Sequence, residues 1–129
     1  MRSVFVFSAV EPRLIHARLD DIGERAHADS WVIDERLWIS VNDPPNWLDG
    51  FDDVRPDIER ELGGDVTLVQ ADVSGRIDGT AEARFLALAI LALGPGLAFD
   101  DDTSQGWTAE ALAADETVNG RKFFSGSGS

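Results

Sequence analysis

The stretch TAEARFLALAILALGPG, residues 80–96, decides how the rest of the chain is read. It is apolar nearly all round from Phe85 through Leu93 and is stopped by Gly94-Pro95-Gly96. That pattern predicts a helix opening at Thr80 and buried at the centre of the domain. The run is only about half as long as a bilayer span needs, so it reads as core and not as membrane.

Working toward the N-terminus, Ser74 to Gly79 is a turn, and Asp65 to Val73 alternates Val66, Leu68 and Val69 with polar residues as a strand does. Trp47, Leu48, Phe51, Val54, Ile58 and Leu62 share one face of a predicted helix, with Pro56 marking a break or restart and Gly63-Gly64 ending it. Asn42-Asp43-Pro44-Pro45-Asn46 is a loop, because paired prolines cannot continue a ladder. Trp31 and Ile33, then Leu37, Ile39 and Val41, form two short alternating runs around Asp34-Glu35-Arg36. They read as a hairpin or as one longer strand with a bulge. Pro12 suits a first helical turn; Leu14, Ile15, Arg18, Leu19, Ile22 and Ala26 follow helical spacing until Asp29-Ser30. Ser3 to Ala9 reads as the first strand.

Toward the C-terminus, a loop rich in glycine, proline and acid runs to Trp107. Thr108 is a good N-cap, with Glu110 in the first turn of a short helix through Ala114. The order β-α-β-β-α-β-α-α is that of an α+β protein. It is compatible with a ferredoxin-like split βαβ arrangement carrying an additional buried C-terminal helix, or with another two-layer α/β sandwich. The 129 residues fit one domain, expected over 1–120, with 121–129, ending SGSGS, as a flexible tail or an appended linker.

The charge balance separates this chain from an ordinary globular one. Its 24 acidic and 11 basic residues give a formal charge of −13. Residues 1–30 hold 4 basic and 5 acidic side chains, so residues 31–129, with 7 basic and 19 acidic, carry −12 of it. Such a field repels nucleic acid and anionic membranes and attracts basic partners; net charge also simply keeps proteins soluble. Cysteine is absent, which removes disulfides, thiol nucleophiles and thiolate metal sites, and fits a reducing cytoplasm. The N-terminal apolar run is too short for a signal peptide. A cytoplasmic protein is expected.

Little in the sequence suggests catalysis. Asp100, Asp101 and Asp102 are consecutive, so at most two of them could converge on a metal, and calcium-loop spacing is not met. Asp53 and Asp57, four apart, would share a helix face, but a paired-carboxylate site needs one buried acid and one exposed. His16 and His27 are about three helical turns apart, too far to ligate one metal from one helix. His27 is expected at a helix end, and His16 half-exposed. No GxGxxG, P-loop or nucleophile elbow occurs. No catalytic residue, metal or cofactor is expected.

Of the four tryptophans, Trp31 and Trp38 are expected to fill the core between sheet and helix. Trp47 and Trp107 each adjoin a polar loop and an acidic cluster. They read either as anchors in an interface or as pins for their own loops.

The stretch FLALAILALGPGLAFDDDTSQGWTAEAL, Phe85 to Leu112, resembles immunity proteins of bacterial toxin–immunity systems, over about a fifth of the chain. The shared features are an apolar helix, an acidic loop and a W-T-x-E helix start. The resemblance implies a cytoplasmic inhibitor that blocks the active site of a cognate toxin domain. In that reading Asp49, Asp52, Asp53, Asp57, Asp100, Asp101 and Asp102 supply an acidic field and Trp47 and Trp107 supply anchors. The alternatives are a small metal- or cation-binding enzyme domain and a regulatory protein-binding module.

Overall fold

The computed structural model describes residues 2–33, 37–42, 55–63, 66–73, 80–100, 107–113, 117–118 and 121–122. In chain order these form β1 (Arg2–Ser8), α1 (Pro12–Ile22), β2 (Glu24–His27), β3 (Ser30–Ile33), β4 (Leu37–Asn42) and α2 (Arg55–Leu62). There follow β5 (Thr67–Val73), α3 (Thr80–Leu91), β6 (Gly96–Asp100), α4 (Ala109–Ala113), β7 (Thr117–Val118) and β8 (Arg121–Lys122). Six strands make one sheet in the order β2-β3-β4-β5-β1-β6, and every neighbouring pair is antiparallel. Among the described residues no helix is long and apolar enough to cross a membrane.

The protein is α+β, and the split βαβ arrangement is present twice. β1 and β4 are both antiparallel to β5, so they run parallel with β5 between them, and α1 lies on the connection from one to the other. β5 and β6 flank β1 in the same way and are joined through α3. The elements filling these roles differ from those expected. The second helix is α3, not the one ending at Leu62, and the closing strand is β6, inside a stretch read as loop. The expected helix from Trp47 is described only from Arg55; it is an insertion between β4 and β5. The C-terminal extension is α4, whose Ala111 and Leu112 are buried against the main core.

One further boundary moves. The helix expected through Ala26 ends at Ile22, and β2 replaces its last turn. Gly23 is the reason: a Cβ there would lie 2.9 Å from the Val32 carbonyl oxygen and 2.9 Å from Ile33 Cγ1, so only glycine lets the chain reverse this close to β3. His27 accordingly sits exposed on an edge strand, not at a helix end. β7 and β8 pair as a small antiparallel ribbon, Thr117 with Lys122 and Val118 with Arg121.

One sheet face is dry. Val4 and Val6 of β1, Val69, Ala71 and Val73 of β5, and Leu37, Ile39 and Val41 of β4 meet Ile15 and Leu19 of α1 and Leu86, Ala87 and Ile90 of α3. Each fully buried Val, Leu or Ile contributes about 1.5–3 kcal/mol of transfer free energy, so this face carries the stability. α3 buries only one side: Phe85, expected inside, is 53% exposed on the outer surface of the helix layer. The second sheet face is covered at one end, where Ile58 of α2 packs with Phe7, Val66, Leu68 and Phe99.

Candidate partner-binding surface

Three of the nine expected site residues are described: Asp57 on α2, Asp100 at the end of β6 and Trp107 just before α4. Trp47, Asp49, Asp52, Asp53, Asp101 and Asp102 lie outside the described residues. Asp57 is exposed on α2, where Arg60 donates to it at 2.6 Å and Arg55 pairs with Glu59 one turn away, so this helix screens its own acids. Asp100 is the last residue of β6, paired in register with Val4. Trp107 corrects the expectation of an interface anchor: its side chain is fully buried. Its backbone exchanges both hydrogen bonds with Ala98, at 2.8 and 2.9 Å, closing the β6 edge. It pins its segment to the core.

The surface that stands out was not singled out in the sequence. On the second sheet face, away from α2, register aligns Val32, Trp38, Asp72 and Ser3 in one row across β3, β4, β5 and β1. The next row is Ser30, Ser40, Gln70 and Phe5. Trp38 is 52% exposed and stands beside the Asp72 carboxylate, which accepts from Ser3 Oγ at 2.6 Å and Gln70 Nε2 at 3.4 Å. Placing Trp38 in the core was wrong for a legible reason. Leu37, Ile39 and Val41 alternate inward along β4, so the residue between the first two must face out.

Trp31 did go to the core, and it organises a second polar cluster. Its indole Nε1–H donates to Asp20 Oδ1 at 2.8 Å, and Arg25 donates to both Asp20 oxygens at 3.2 and 3.1 Å. The Arg25 guanidinium lies over the Trp31 ring, 4.9 Å from its centroid, with His16 at 5.1 Å. The Trp31 hydrogen bond first, and the Arg25 charge after desolvation is offset, hold the Asp20 carboxyl below its ordinary 3.8. This cluster ties the β2 edge to α1. His16 Nε2 lies 4.0 Å from Asp29 Oδ1 at its margin.

Among the described residues no group of three His, Asp or Glu side chains is placed to hold a metal ion. The described residues place an exposed indole and a held carboxylate on the second sheet face, in a strongly anionic molecule. No protein-family model, curated protein or solved structure matches the chain.

Proposed function

We propose that this protein is a cytoplasmic immunity protein, which binds a cognate bacterial toxin domain and occludes its active site with an acidic surface. The observation that carries the reading is the exposed Trp38 beside Asp72 in a molecule of charge −13. A large, stiff aromatic exposed on a sheet gives a partner a surface to desolvate, and tryptophan is the side chain most enriched where binding energy concentrates. The surrounding negative field speeds encounter with a basic protein and repels nucleic acid, as an inhibitor of a nucleic-acid-attacking toxin requires.

The test is co-purification with the product of the neighbouring gene at low and at high salt, joined to a toxicity assay. The expected result is a complex that forms faster at low salt, survives high salt and silences toxicity. Absence of both complex and protection overturns the reading.

A further inference from the structure

The protein already contains one complete tryptophan–carboxylate–guanidinium arrangement. Arg25 stacks over Trp31 while its N–H groups grip Asp20, and the pieces come from β2, β3 and α1. Among the described residues, the second sheet face presents the first two parts of the same arrangement without the third. Trp38 and Asp72 are direct partners in the antiparallel β4–β5 register, which sets their Cβ atoms about 4.5–5.5 Å apart on one face. Both hydrogen bonds that Asp72 accepts come from neutral donors and fall on Oδ1. Among the described residues no cation pairs with it.

We infer that Trp38 and Asp72 form a receptor for one arginine side chain of a basic protein partner, the guanidinium stacking on the indole while it donates to Asp72. Tryptophan is the best cation–π acceptor among side chains, and the planar guanidinium stacks and pairs with a carboxylate at once, which an ammonium cannot do. Val32, the register partner of Trp38 on β3, gives the indole an apolar cross-strand neighbour, and Ser3 and Gln70 fix the carboxylate. The net charge of −13 supplies the complementarity that brings a cationic group here and disfavours a second copy of this chain. The inference rests on the proposed function only in taking the partner to be a protein.

The test uses the whole chain, nuclear magnetic resonance and two capped tripeptides, Gly-Arg-Gly and its citrulline analogue, which keeps the shape and removes the charge. The arginine peptide is expected to shift the Trp38 indole N–H and the Gln70 side-chain amide saturably, while the citrulline peptide leaves both in place. Asp72→Asn, which still accepts from Ser3, is expected to weaken binding by about 3- to 5-fold. Trp38→Leu, followed through Gln70, is expected to weaken it by about 2- to 5-fold, while Trp38→Phe keeps most of it. Glu61→Gln on α2 serves as the control for diffuse attraction and should change affinity by less than about 1.5-fold. Equal response to both peptides, or an Asp72→Asn chain that keeps its circular dichroism and its affinity, overturns the receptor. The two readings fail separately. A chain that neutralises its toxin yet ignores the arginine peptide keeps the immunity function and loses this site, and a chain that binds the peptide but protects against nothing does the reverse.

Discussion

Asp20 shows how much one carboxylate can organise. It takes the only N–H of a buried indole, and it holds the guanidinium that covers the same ring. Removing it strips the Trp31 N–H of its acceptor and loosens the Arg25 lid together, so Asp20→Ala should lower the melting temperature more than an exposed acid such as Glu61→Ala. The pH dependence has a definite sign. A carboxyl held below its ordinary 3.8 stabilises the fold fully above that value, and the contribution fades as pH falls through the lowered one. Thermal melts between pH 7 and pH 2 should therefore show the gap between parent and Asp20→Ala constant down to about pH 5 and shrinking below it. A gap that persists unchanged at pH 2 would assign the effect to packing. None of this was legible in the sequence, because Asp20, Arg25 and Trp31 are joined only by the reversal at Gly23, and no periodicity announces a reversal. Trp38 was legible, by counting alternation from Leu37.

At the scale of elements, the strands that were missed share a cause. β2 reads Glu-Arg-Ala-His and is exposed throughout, so as an edge strand it carries no inward alternation to detect. β6 begins at Gly96, which resembles helix-stop chemistry; a Cβ there would lie 2.8 Å from the Phe7 carbonyl oxygen and 2.7 Å from Leu91 Cδ2, so the glycine serves strand packing. The long apolar helix α3 and the strands β1, β4 and β5 were plain because each buries a full face. α4 is the opposite case. Five residues cannot hold a helix in water, and this one is clamped from both ends. Thr108 Oγ1 accepts from the Ala111 N–H at 3.2 Å. Arg84, on α3, donates through Nε and Nη2 to the Leu112 carbonyl at 2.9 and 2.6 Å and through Nη2 to Ala113 at 3.3 Å, satisfying carbonyls that the helix itself leaves open. Arg84→Met keeps most of the stem and removes those donors; a loss of about 1.5–3 kcal/mol in denaturant unfolding is expected. Hydrogen exchange should localise it, with protection falling first at the Leu112 amide, which donates to Thr108.

At the scale of the whole molecule, charge and exposed apolar surface oppose each other. Trp38, Phe85 and Leu14 are 52%, 53% and 39% exposed, Trp38 on the sheet and the other two on helices of the opposite layer. At pH 7 a charge of −13 keeps copies apart, and the isoelectric point of about 4.3 marks where that repulsion vanishes. The Asp20 contribution shrinks below about pH 5 but is lost in full only as pH falls through the lowered value, so near pH 4.3 the fold is expected to persist while the net field vanishes. Self-association should appear there, before unfolding. Light scattering and circular dichroism taken together on one acid titration check it: scattering is expected to rise near pH 4.3 while the helical signal is still native. Phe85→Ser should delay the rise if the helix layer is the contact, and Trp38→Ser if the sheet face is. Scattering that rises only after the circular dichroism has changed would mean that the unfolded chain aggregates, and that charge is not what keeps the native surfaces apart.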